Sequence, residues 1–213
     1  VRVEADLGDE ADIYLARVNW TPAGQVAVQR QNRAQTRLDL LLADPETGES
    51  TVILTETDPA WINLTNDLIF LNDNSFLWTS ERSGFRHIYH YDSAGGLIAQ
   101  ITDGEWQINA IEGVDPDSGR VYFSGWMRDA RQRHLYSVSY AQAGETPVQV
   151  TSGQGWWSGI SMGPAAQTFV ASFSGPTTPP NTALYDASGE RLRWIEENAL
   201  NGHHPYAPFL DHH

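Results

Sequence analysis

Several groups of residues in this chain have types and spacings that chemistry can use. Gly159-Ile160-Ser161-Met162-Gly163 has the form G-x-S-x-G, and Asp186 followed by His203 or His204 completes the chain order of a serine-hydrolase triad. A nucleophile of that kind needs a strand, a sharp turn and then a helix, which together lift the serine oxygen above a parallel sheet. Here Gly163-Pro164 leads into another strand-like segment and no helical periodicity is visible, so Ser161 reads as a strand serine and no catalytic residue is assigned. The histidines are His87, His90, His134, His203, His204, His212 and His213. His87 and His90 are three apart on a strand and point to opposite faces, a poor geometry for one metal. Asp115, Asp117 and Gly119 resemble part of a calcium loop but lack its closing glutamate, so V-D-P-D-S-G reads as a turn. Asp44-Pro45-Glu46-Thr47-Gly48 reads the same way. No metal ligand and no cofactor is expected. Asn19-Trp20-Thr21 and Asn63-Leu64-Thr65 have the form of glycosylation sequons. Glu81, Arg82 and Arg86 flank the Ser83-Gly84 turn, where an ion pair would hold a hairpin; a substrate-facing role is the alternative.

The elements that carry these residues are strands. Phe76 to about Glu81 and Ile88 to Tyr91 suit a pleated surface, and Ser83-Gly84 turns one into the other. Asp92 to Gly96 forms a second turn, and Leu97 to Thr102 follows as a third strand. The composition fits a packed protein, with 40% hydrophobic residues and 8 Trp among 213 residues. A formal net charge of -14 repels a phosphate backbone and excludes nucleic acid as a partner. The absence of cysteine removes disulfides and thiol chemistry. No apolar run approaches the length of a membrane span.

The strands repeat. Leu40-Leu41-Leu42-Ala43-Asp44 aligns with Ile88-Tyr89-His90-Tyr91-Asp92, Leu135-Tyr136-Ser137-Val138-Ser139 and Thr182-Ala183-Leu184-Tyr185-Asp186, at successive spacings of 48, 47 and 47 residues. Gly48, Gly95, Gly144 and Gly189 follow in the next turn, and Gln100 to Trp106 matches Gln149 to Trp156. Four strands in a period of this length are the signature of a β-propeller, whose small sheets bury their faces by stacking in series. The expected fold is therefore all-β, a partial β-propeller of about four four-stranded antiparallel blades at 12–58, 67–104, 107–153 and 156–197. Trp61, Trp106 and Trp156, each after an outer strand, are expected to wedge between neighbouring blades. The third strand of the last blade is expected near Ala183–Tyr185, and Glu196 to Asn201 as a short helix. His203 to Pro208 reads as an extended linker, with His212 and His213 native or the remnant of a tag.

Several segments also resemble the dipeptidyl peptidase IV subfamily of the prolyl oligopeptidases. They are I-Y-L-A-R-V-N-W at Ile13–Trp20, F-L-W-T-S-E-R-S-G-F-R-H-I-Y-H-Y-D at Phe76–Asp92 and R-H-L-Y-S-V at Arg133–Val138. W-W-S-G-I-S at Trp156–Ser161, S-F-S-G-P-T-T-P-P at Ser172–Pro180 and L-R-W-I-E-E-N-A-L at Leu192–Leu200 continue the likeness. The resemblance implies an eight-bladed propeller capping an α/β-hydrolase domain, with this chain similar to the later half of the propeller and the hydrolase beyond residue 213. It implies a parent that removes N-terminal dipeptides, preferring Pro or Ala second, while this region gates access and performs no chemistry. The family's paired glutamates find no matching segment here, and the Arg and Phe of the animal members have no clear counterpart in Trp61-Ile62-Asn63-Leu64-Thr65.

The implied partners are the hydrolase domain of the same parent chain and, through it, peptide substrates. A homodimer closing the ring through exposed terminal blade faces is a further expectation. The parent's compartment stays open among periplasmic, secreted and membrane-anchored. A stand-alone propeller that binds a protein or peptide is the alternative function.

Overall fold

Short alternating segments separated by Asp- and Gly-bearing turns fold into four antiparallel sheets in a computed structural model, which describes residues 2–199 and 203–206. The first sheet is β1 (Ile13–Trp20), β2 (Val26–Asn32), β3 (Arg37–Ala43) and β4 (Ser50–Thr57). The second is β5 (Ile69–Phe70), β6 (Phe76–Ser80), β7 (His87–Tyr91) and β8 (Leu97–Gln100). The third is β9 (Ile108–Asp115), β10 (Arg120–Gly125), β11 (His134–Ser139) and β12 (Val148–Gln149). The fourth is β13 (Trp156–Met162), β14 (Thr168–Gly175), β15 (Thr178–Asp186) and β16 (Arg191–Glu196). Within each sheet the strands lie in sequence order, and the fold class is the partial β-propeller of four blades. The chain divides into two compact units, residues 1–100 with the first two sheets and 101–213 with the last two.

The repeated turn has a local cause. Asp44 Oδ1 accepts the backbone N–H of Glu46 at 2.7 Å, Asp92 Oδ1 that of Ala94 at 2.9 Å, and Asp186 Oδ1 that of Ser188 at 2.9 Å. An aspartate that satisfies the backbone two residues on sets such a turn. The glycine that follows is required twice over in two of the sheets. Gly95 and Gly189 have φ of 85° and 89°, and a Cβ there would lie 1.6 Å from the Ile53 carbonyl oxygen and 2.2 Å from that of Val150. Each glycine thus lets its turn press onto the outer edge of the preceding sheet.

Each unit has its own core, built where two sheets pack face to face. In the first, Ala27, Leu38, Leu40 and Leu54 of the first sheet meet Phe76, Trp78, Tyr89 and Tyr91 of the second. The cross-strand pair Phe76 and Tyr91 stacks at 5.2 Å between ring centroids. In the second, Tyr122 and Leu135 meet Trp157, Phe169, Ala171, Ala183 and Tyr185, and the equivalent pair Phe169 and Tyr185 stacks at 5.1 Å. Large rings facing small or aliphatic side chains fill the gap between two twisted sheets.

Four expectations change. β15 begins at Thr178, well before Ala183, and runs through Pro179 and Pro180. Its pairing with β16 begins only at Thr182, so the prolines fall where no donor toward β16 is needed. The expected helix after Glu196 is absent among residues 197–199: Asn198 takes a φ of 49° and its side-chain amide donates to the Pro180 carbonyl at 2.8 Å. His203 to Tyr206 form a turn, with the Tyr206 N–H on His204 Nδ1 at 3.2 Å, whereas His212 and His213 lie outside the described residues. Trp156 does tilt onto Trp126 of the preceding sheet at 5.7 Å, and Trp106 stacks on Phe123 at 5.9 Å. Trp61 is no wedge, since it is 63% exposed.

Candidate functional site

The exposed Trp61 stands at the edge of a cleft in the first unit. A cleft of about 450 Å³, counted out to its solvent mouth, is lined by the end of β4, the crossover from β4 to β5, strand β6 and the β6–β7 hairpin. Its inner wall is organised around Glu56, a buried carboxylate on β4. Trp78 Nε1 donates to Glu56 Oε1 at 3.2 Å, Ser80 Oγ donates to Oε2 at 2.9 Å, and the Arg82 guanidinium pairs with Oε1. Arg82 Nε also donates to Ser80 Oγ at 3.0 Å, and its guanidinium lies over the rings of Tyr89 and Tyr91, 4.7 and 5.7 Å from their centroids. Burial by itself would lower the pKa of Arg82, but the charge and hydrogen bond of Glu56 outweigh it and raise the value above the usual arginine range. Burial pushes the Tyr91 phenol up to about 12, with Arg82 opposing the shift, so Tyr91 stays neutral.

The outer wall is a second chain of contacts. Arg86 donates to Glu81 Oε1 at 3.1 Å, Asn63 Nδ2 donates to Glu81 Oε2 at 2.8 Å, and Trp61 Nε1 donates to Asn63 Oδ1 at 3.1 Å. At the floor, Thr79 Oγ1 donates to Asp67 Oδ2 at 3.0 Å and lies 3.1 Å from Thr65 Oγ1. The charges of Glu56 and Arg82 and of Glu81 and Arg86 are therefore matched within the protein. What remains for a ligand is the face of the Trp61 indole and the polar edges of Asn63, Glu81 and Arg86.

The other residues singled out in the sequence do not come together. Ser161 lies on β13 opposite Val170, while Asp186 spends its carboxylate on the β15–β16 turn, accepting from Ser188 and from Glu190 N–H at 3.0 Å. His203 and His204 belong to the turn beyond β16. His134 is buried at the start of β11, with Nδ1 3.1 Å from Thr151 Oγ1, and burial lowers its pKa, favouring the neutral ring. His87 is buried at the equivalent strand start, and His90 Nε2 sits 2.9 Å from Ser75 Oγ. Asp115 accepts the backbone N–H of Asp117 at 3.0 Å and that of Ser118 at 3.3 Å, as a turn residue does. Among the described residues no three His, Asp or Glu converge for a metal ion. Asn63 of the second sequon is exposed but engaged with Trp61 and Glu81.

The hairpin ion pair is real but involves Glu81 and Arg86 only. Arg82 reaches across to Glu56, a residue the sequence did not single out. Its only local signal is a carboxylate inside an otherwise uncharged outer strand, where burial is costly without a partner.

The family described as the dipeptidyl peptidase IV (DPP IV) N-terminal region matches residues 2–180. The chain is 26% identical over 211 residues to a probable dipeptidyl peptidase 4 of Emericella nidulans, covering 92% of this chain and 27% of that protein. It is 33% identical over 178 residues to dipeptidyl peptidase 4 of Trichophyton rubrum, covering 80% and 23%. The crystal structure of Porphyromonas gingivalis dipeptidyl peptidase 4 superposes with a TM-score of 0.84 at 25% identity, covering 92% of this chain and 28% of that one. The chain thus spans about a quarter of the length of the relatives it matches.

Proposed function

Because this chain belongs to the dipeptidyl peptidase IV N-terminal region family, we propose that it is the non-catalytic propeller region of a serine-type dipeptidyl peptidase. Its role is to gate peptide access to a hydrolase domain carried elsewhere in the parent polypeptide. The observation that carries this reading is the match over residues 2–180 together with relatives about four times longer. The cleft supports it: matched charges and an exposed Trp61 suit a surface past which a peptide slides. Ser161 on a strand and Asp186 in a turn are in keeping with a region that leaves the serine chemistry to another domain. The test is hydrolysis of an Ala-Pro or Gly-Pro amide reporter by the native polypeptide and by the 213-residue chain. Turnover by the native polypeptide and none by the chain is expected. Turnover proportional to the concentration of the chain alone would overturn the reading. A native polypeptide without hydrolase activity would leave a propeller that binds proteins or peptides.

A further inference from the structure

Positive charge is scarce in this chain, and one turn concentrates it. The formal net charge is -14, and the 13 basic residues are all arginine. Three of them fall in the turn between β10 and β11, Trp126-Met127-Arg128-Asp129-Ala130-Arg131-Gln132-Arg133, against a single aspartate. Arg131 spends its charge on Asp129 at 2.9 Å. Among the described residues neither Arg128 nor Arg133 forms an ion pair. Arg128 is exposed, and Arg133 is partly buried. Burial lowers the pKa of Arg133, and the charge of Glu112 opposes that shift without cancelling it.

The frame around these arginines is fixed. The Arg133 N–H donates to the Gly155 carbonyl at 3.2 Å, and the Trp157 N–H donates to the Arg133 carbonyl at 2.9 Å. Arg133 Nε donates to the Trp157 carbonyl at 2.7 Å, which holds the guanidinium 4.8 Å from the centroid of the Trp156 ring. Trp126 tilts onto Trp156, and its own N–H donates to the Gln107 carbonyl at 3.3 Å. Both indoles keep part of their surface in solvent. A guanidinium presents parallel N–H donors that match a carboxylate or a phosphate. The charge of the whole chain repels a polyphosphate, and two indoles beside the arginines add contact for an apolar side chain. A peptide that carries a carboxylate next to an apolar residue meets both features.

We propose that Arg128 and Arg133, with Trp126 and Trp156, form a binding site for a carboxylate of the peptide that this region admits, either the C-terminal carboxylate or that of an Asp or Glu side chain. The inference rests on the gating function proposed above and adds a preference among peptides. The test is hydrolysis, by the native polypeptide, of short peptides that begin Ala-Pro. One pair differs as C-terminal acid and C-terminal amide, and a second pair of amides differs as Glu and Gln near the C-terminus. A KM at least about fivefold lower for the charged member of a pair, with kcat little changed, is expected. The pair that shows it identifies the source of the carboxylate, and the difference should shrink as salt is raised. Arg128→Gln should bring the ratio of the two KM values close to one, and Arg128→Lys, which keeps the charge without the fork, should restore part of it. The comparison within each pair needs no variant, so it holds even where a substitution disturbs folding. Equal KM values in both pairs, or a preference that Arg128→Gln leaves intact, overturns the carboxylate site alone. A native polypeptide that cleaves none of the peptides overturns the gating function, and the site with it.

Discussion

Substituting Glu56 tests whether one buried carboxylate holds the cleft together. Three donors converge on it: Trp78 Nε1, Ser80 Oγ and the Arg82 guanidinium. Its side chain is 10% accessible and that of Arg82 is 35% accessible, so the glutamate is essentially dry while water reaches part of the arginine. A hydrogen bond to a charged group contributes about 1.5–3 kcal/mol, and a lost partner for a buried charge costs about 3–5 kcal/mol. Water at Arg82 returns part of that loss, so Glu56→Gln is expected to destabilise the first unit by about 2–3 kcal/mol. Arg82→Met keeps the apolar contact with Tyr89 and Tyr91 and removes the charge. In the double-mutant cycle of the two substitutions, a coupling energy of about 1–2 kcal/mol is expected from urea unfolding followed by tryptophan fluorescence. The Trp78 indole N–H resonance should move in Glu56→Gln, because its acceptor loses charge. A coupling below about 0.5 kcal/mol would refute the view that the Glu56–Arg82 pair holds the cleft together.

Further expectations concern pH and backbone. Asp39 is buried, which by itself raises its pKa, but hydrogen bonds from Arg37, Arg30 and Thr55 outweigh burial and hold it below the usual carboxylate range. A depressed folded-state pKa stabilises above the unfolded value, and that stabilisation is lost as pH falls through the folded one. Asp39→Asn should therefore lower stability at pH 7, and the gap to the parent chain should close below about pH 4; a pH-independent gap in urea midpoints would exclude this. Gly95→Ala should cost more than about 2 kcal/mol, since its Cβ would overlap the Ile53 carbonyl, whereas Gly24→Ala, with a φ of 81° and open space, should cost about 1 kcal/mol. Equal thermal shifts for the two would show that the turn does not press on the neighbouring sheet.

The repeat was legible in the sequence because its causes are local. Alternation marks the strands, and in three of the four sheets the aspartate and glycine of the third turn satisfy a backbone donor and a positive φ within a few residues. The fold class follows from that period, and the family resemblance from the segments that the strands and turns carry. The reading of Ser161 and of Asp115 as strand and turn residues rested on the same local grammar. Its failures also have a local cause: Pro179 and Pro180 look like strand breakers until it is known that β16 asks nothing of them.

The cleft was not legible. Glu81 and Arg86 are five residues apart and pair across a hairpin, which the sequence suggested. Glu56 and Arg82 are separated by 26 residues and meet only because one sheet packs on the next. Trp61 occupies the same place in the repeat as Trp156, yet Trp156 meets Trp126 and Trp61 stands in solvent, tied to Asn63. Sequence determines what each strand and turn satisfies within itself. Which carboxylate a buried arginine finds, and which tryptophan is left exposed, is decided by packing between sheets, because burial makes an unpaired charge too costly and space for a large ring is set by the neighbour.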